Sequence, residues 1–132
     1  MARLLLDTTF LVDAERGDAD LDALIGDDDD PALAAITAAE LRVGVLLATG
    51  RRRTARTAFV ERILGSVPAL EYDLTVADAH AELLAHVRRS GTPRGAHDLI
   101  IAATAVASGR VVVTADTSAF DGLPGVEIRF HR

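Results

Sequence analysis

Short, uninterrupted apolar runs alternate along this chain with segments whose apolar residues recur at helical spacing. Arg3–Leu6 reads as a buried strand, followed by a helical stretch, Phe10–Arg16, and by Leu21–Ile25 with Gly26 as its stop. The run Asp27–Asp30 ahead of Pro31 is a loop. Leu33–Ile36 is a second strand, and Thr37 opens a long helix that runs through Leu47 and ends by Gly50. Arg51–Leu64 places Ala55, Ala58, Phe59 and Ile63 near helical spacing, so these two segments form a helical hairpin. Val67–Glu71 is a weak third strand, with Pro68 near its start, and Ala77–Arg89 is an amphipathic helix. After a loop marked by Gly91, Pro93 and Gly95, Leu99–Ala107 is apolar almost all round, which predicts a central, buried helix. Val111–Thr114 is a β-branched strand, and Val126–Phe130 is a last strand behind the turn at Gly122–Gly125.

Strands alternating with helices predict an α/β fold: a mostly parallel central sheet with helices on both faces. Such sheets bind ligands beyond the carboxyl ends of their strands. A chain of 132 residues, 49% hydrophobic, is expected to be a single domain over residues 1–132. It contains no run of eighteen apolar residues, and Asp7 arrives too early for a signal-peptide core, so the expectation is a cytoplasmic protein without membrane contact. The absence of Cys excludes disulfides, thiolate catalysis and Cys-ligated zinc.

One residue breaks the first apolar run: Asp7 follows Leu4, Leu5 and Leu6 and precedes Phe10, Leu11 and Val12. Burying an unpaired carboxylate costs several kcal/mol in order of magnitude, so Asp7 needs a partner. Three further acids fall at comparable places. Glu40 lies just inside the helix after the second strand, Asp98 opens the buried helix, and Asp116 follows the fourth strand. Each has a local explanation. Asp7 can cap a helix, Thr37-x-x-Glu40 matches a capping box, Asp98 suits a helix N-terminus, and Asp116 suits an Asx-turn. Together at one sheet edge, however, four carboxylates repel unless a cation holds them. All-oxygen ligands suit Mg²⁺ or Mn²⁺.

The order LLLDTT, TAAELRVG, HDLIIAATA and VVVTADTSAF resembles the PIN-domain ribonucleases, especially the VapC-like toxins of type II toxin–antitoxin pairs. The resemblance covers Leu4 to Phe130 and implies a three-layer α/β/α domain with a mostly parallel central sheet. It also implies a metal-dependent endoribonuclease whose catalytic and metal-binding residues are Asp7, Glu40, Asp98 and Asp116, with Mg²⁺ as cofactor and Mn²⁺ able to substitute. Thr8 and Thr114 match positions where the family commonly carries a hydroxyl behind the ligands, whereas Thr9 departs from the Ser or Asn often found there. The partners implied are an RNA substrate and a small antitoxin, and the implied products carry a 5′-phosphate and a 3′-hydroxyl.

A net charge of −6 runs against nucleic-acid binding, but Asp27–Asp30 and the four candidate site acids supply eight of the negative charges, and the rest of the chain is slightly positive. Candidate RNA contacts are Arg51, Arg52 and Arg53, with Arg56 nearby, and Arg88, Arg89, Arg94 and His97. Three arginines at a helix N-terminus oppose the macrodipole, which favours an external reason for them; the plainer explanation is a solvated helix end. Asp13 and Asp121 are candidates for the outer shell, and His80, His86 and His131 lack metal-like spacing. The segments Phe10–Arg16 and Val43–Leu64 carry more aliphatic residues than a small sheet covers, which predicts a homodimer that also meets an antitoxin. A receiver-like domain would by resemblance need a lysine, which the chain lacks; a dehalogenase-like phosphatase would want Asp-x-Asp where Asp7-Thr8-Thr9 stands. The remaining alternative is a catalytically silent binding module of the same fold, acting through an antitoxin.

Overall fold

The computed structural model describes residues 1–17, 20–21 and 25–131. Within them the elements are β1 (Arg3–Leu6), α1 (Thr8–Glu15), β2 (Asp30–Ala34), α2 (Ala35–Leu47), α3 (Gly50–Ser66), β3 (Ala69–Leu70), α4 (Leu74–Ser90), α5 (Ala96–Ser108), β4 (Val111–Thr114), a 3₁₀ turn (Thr117–Ala119) and β5 (Ile128–Phe130). The helix expected at Leu21–Ile25 falls partly outside the described residues.

The five strands form one sheet in the order β3-β2-β1-β4-β5, and every pairing is parallel. Period-two alternation divides the strand residues between two cores. Leu5, Ala32, Ala34 and Val112 face α4 and α5, where they meet Val76, Leu83, Val87, Leu99 and Ala102. Leu4, Leu6, Leu33 and Val113 face α1, α2 and α3, where they meet Phe10, Leu11, Leu41, Val60 and Ile63. Covering both faces explains the apolar runs of β1 and β4: Leu4–Leu6 and Val112–Val113 are shut from water on both sides. The result is the three-layer α/β/α arrangement.

Some boundaries differ from the sequence expectation, for physical reasons. The second helix starts at Ala35, because β2 runs directly into it with Ala34 as an N-cap that has no side-chain bond. Thr37 therefore lies inside the helix, and the capping box does not form. The expected hairpin is present as α2 packed against α3, fastened by Arg56, which pairs with Glu15 (Nε to Oε1, 3.1 Å) and donates from Nη1 to the Gly44 carbonyl at 3.2 Å. The apolar residues of α1 do not form an outer face: Phe10 and Leu11 are fully buried. In the other segment expected to carry outer aliphatic surface, Val43–Leu64, Val43, Leu46 and Leu47 on the last turns of α2 are exposed.

This topology positions the site. The chain builds β1, β2 and β3 toward one side, then crosses to place β4 on the other flank of β1. At such a reversal the loops leaving adjacent strands part and open a crevice at their carboxyl ends. The residues leaving β1 and β4 there are Asp7 and Asp116.

Candidate active site

Asp7 continues β1 by one bond, its amide donating to the Val113 carbonyl at 2.9 Å, and its side chain then turns back over the start of α1. The carboxylate is only 2% exposed. Three donors converge on it: the Thr8 amide on Oδ1, and the Thr9 and Thr114 hydroxyls on Oδ2, each at 2.7 Å. Both hydroxyls are oriented from behind. Thr9 Oγ1 accepts from the Ala115 amide at 3.2 Å and Thr114 Oγ1 from the Asp116 amide at 2.9 Å, so each has its proton left for Asp7. Thr9, whatever its departure from the family pattern, makes the same kind of bond as Thr114. Burial pushes the Asp7 carboxyl above its ordinary range, the Thr114, Thr9 and Thr8 bonds oppose that, and the Glu40 charge adds to it.

Glu40 lies in the second turn of α2 and is steered by two neighbours. Thr8 Oγ1 donates to its Oε1 at 2.8 Å, and His97 Nδ1 lies 3.3 Å from its Oε2. Thr8 is backed in turn by Thr37, fully buried, with the hydroxyls 3.3 Å apart. Asp98 sits in the first turn of α5. Its carboxyl is pushed up by partial burial first and then by the charges of Asp7, Glu40 and Asp116, with His97 opposing. Gly95 leaves room for this carboxylate, because a Cβ at Gly95 would lie 2.8 Å from Asp98 Oδ2 and push it aside. Asp116 makes the expected Asx-turn, its Oδ1 accepting from the Ser118 amide at 3.1 Å and from the Ser118 hydroxyl.

The four acids are thus electrostatically coupled at one end of the sheet, although they come from four separate elements. A cleft of about 300 Å³ is lined by Asp7, Thr8, Thr9, Glu40 and Asp98, with Val12, Asp13 and Arg16 on its outer wall. Asp13, an outer-shell candidate, is bonded to His131 Nε2 at 2.9 Å. The donor set, all carboxylate and hydroxyl oxygen, fits a hard divalent cation. Among the described residues no three acidic or imidazole groups are gathered tightly enough to hold an ion as they stand.

The cationic candidates divide by environment. Arg51, Arg52 and Arg53 are exposed on the first turn of α3. Arg88 and Arg89 are exposed in the last turn of α4, where they also complement the helix dipole. Arg94 is half-buried and donates to two backbone carbonyls. Sequence reasoning missed the wiring of Thr9, Thr37 and His131; the only local signal was the pair of hydroxyl residues directly after Asp7.

A carboxylate-lined cleft at the switch point of a parallel sheet, braced by threonine hydroxyls, defines an α/β protein with an acidic site at the carboxyl edge of its sheet. The PIN domain family model matches residues 4–125. VapC ribonuclease Y4jK of Sinorhizobium fredii is 44% identical over 95 residues, which are 67% of this chain and 66% of that protein. Ribonuclease VapC5 of Mycobacterium tuberculosis is 38% identical over 127 residues, 94% of this chain and 92% of that protein. Among solved structures, VapBC-5 of Mycobacterium tuberculosis, a member of the VapBC family of toxin–antitoxin systems, superposes with a TM-score of 0.80 at 35% identity, covering 97% of this chain and 98% of that one. The chain belongs to the PIN-domain family, among the VapC ribonucleases. Relatives named as ribonucleases do not favour the alternative of a catalytically silent module. Among the described residues no helix is long and apolar enough to cross a membrane.

Proposed function

We propose that this chain is the toxin of a toxin–antitoxin pair: an endoribonuclease that hydrolyses RNA phosphodiesters with Mg²⁺ or Mn²⁺ held by Asp7, Glu40, Asp98 and Asp116. The observation that carries the reading is the cleft at the carboxyl edge of the sheet that Asp7, Glu40 and Asp98 line together, with Asp116 leaving the neighbouring strand β4. When bound, the divalent ion supplies positive charge against the phosphodiester and acidifies water in the cleft. The protein's part is orientation. Thr9, Thr114 and the Thr8 amide hold Asp7, Thr8 and His97 hold Glu40, and the Asx-turn holds Asp116, so these three acids are oriented before the ion draws them together. Arg51, Arg52, Arg53, Arg88 and Arg89 are the groups proposed to contact RNA phosphates, with His97 at the rim beside Glu40.

The proposed partners are a small antitoxin and a second copy of the chain. The antitoxin is proposed to cover Val43, Leu46 and Leu47, which are 51%, 65% and 79% exposed on one helix end. Support comes from the solved VapBC-5 toxin–antitoxin structure, whose superposed chain covers nearly all of this one. The test uses the chain freed of any antitoxin. Cleavage of RNA with Mg²⁺ or Mn²⁺, arrest by a chelator, and loss in Asp98→Asn are the expected results. Cleavage that survives chelation would refute metal dependence, and no cleavage of total RNA under either metal would refute the nuclease reading.

A further inference from the structure

Arg94 lies in the loop between α4 and α5, a turn ahead of Asp98, and reaches across to the segment behind β4. Its Nη1 donates to the Ser118 carbonyl at 3.2 Å and its Nη2 to the Asp121 carbonyl at 2.6 Å. Ser118 is also the residue whose amide and hydroxyl hold Asp116. One guanidinium therefore ties the loop that launches the Asp98 helix to the turn that carries Asp116. The receiving turn is fixed by Gly122, whose φ of +79° side chains rarely adopt.

We infer that Arg94 is a positioning residue that sets the separation of Asp98 from Asp116, and not a phosphate contact. The inference rests on the reading of the acid cleft as a metal-dependent nuclease site. The chemistry of the side chain supports it. A guanidinium presents its nitrogens in a fixed plane, so two carbonyls three residues apart are held at a set distance and angle. Both terminal nitrogens already donate to carbonyls, whereas the neighbouring Arg88 and Arg89 are exposed. The two acids it brackets are far apart along the chain: Asp98 lies in the first turn of α5, and Asp116 follows only after the rest of α5 and the whole of β4. A cross-tie between their loops is what a shared ligand set requires, because ligand spacing otherwise follows the independent motion of two loops.

The experiment compares wild type, Arg94→Ala and Arg94→Lys as full chains freed of antitoxin. Mn²⁺ affinity is read from the spectroscopic signal of free Mn²⁺, and kcat and KM from a labelled RNA oligonucleotide. RNA affinity and its salt dependence are read in an Asp98→Asn background, and amide hydrogen exchange over residues 115–123. Arg94→Ala is expected to weaken Mn²⁺ binding and lower kcat by about 10- to 100-fold. KM, RNA affinity and salt slope stay within about twofold of wild type, and residues 115–123 exchange faster. Arg94→Lys keeps the charge without the planar fork and retains most of the defect. A salt slope reduced by about one, with Mn²⁺ affinity and kcat unchanged, would make Arg94 a phosphate contact and overturn the inference. If wild type itself neither binds Mn²⁺ nor cuts RNA, the nuclease reading fails. Hydrogen exchange then still decides the cross-tie, and unchanged exchange over 115–123 in Arg94→Ala overturns it independently.

Discussion

Replacing Thr114 by Val tests the wiring of Asp7 with little change of shape, since the side chain is fully buried and only its hydroxyl is exchanged for a methyl. The change removes the 2.7 Å bond to Asp7 Oδ2 and deprives the Asp116 amide of its 2.9 Å acceptor. Asp116 is exposed, so water replaces the second bond and the first dominates. A hydrogen bond to a charged group contributes about 1.5–3 kcal/mol, and to a neutral one about 0.5–1.5 kcal/mol. The sign of the pH dependence follows. Burial holds the folded-state Asp7 carboxyl above its unfolded value of 3.8, so ionisation costs stability as pH rises through that raised value. The Thr114 bond lowers this pKa, so its loss raises the pKa further and widens the cost at high pH. In chelator, urea unfolding of Thr114→Val is therefore expected to lie about 1 kcal/mol below wild type at pH 4 and about 2–3 kcal/mol below at pH 8.5. Thr114→Ser should recover most of the difference. A deficit of the same size at both pH values would show that the hydroxyl does not stabilise an ionised Asp7, and would refute the wiring argument.

Three further outcomes are expected. Asp98→Asn removes the partly buried charge and the repulsion that together raise its carboxyl, so in chelator it should melt at or above the wild-type temperature at pH 8, with the gap closing toward pH 4; a lower melting temperature at every pH would make Asp98 a helix-capping residue only. Gly95→Ala forces Asp98 Oδ2 from its place while displacing only the tip of a flexible side chain, so metal-dependent cleavage should fall by about tenfold or more with little loss of stability; full activity would remove Asp98 from the ligand set. Replacing Arg51, Arg52 and Arg53 together by Ala should weaken RNA binding and flatten its salt dependence while leaving Mn²⁺ affinity unchanged, with Arg88→Ala and Arg89→Ala as the paired comparison; an unchanged slope would mark the α3 cluster as a solvated helix end.

The sequence alone determined the layering. A strand covered on both faces is apolar along its buried length, so Leu4–Leu6 and Val111–Val113 announced a parallel, sandwiched sheet, and the acids behind them marked the edge where the cleft opens. Family membership was legible for the same reason, because those acids come with their strands attached. Local motifs were weaker guides. Thr37-x-x-Glu40 has the spacing of a capping box, yet β2 runs straight into α2 at Ala35, which leaves Glu40 for Thr8 and His97. The aliphatic residues of α1 read as spare surface but are consumed by the core, and Arg56 reads as part of a basic cluster but is paired with Glu15. Only the tertiary structure decided how the acids are held. Thr114 meets Asp7 from 107 positions away and Arg94 meets Asp121 from 27. Periodicity reports which face a residue buries, and it reports nothing about which distant hydroxyl or guanidinium that face will meet.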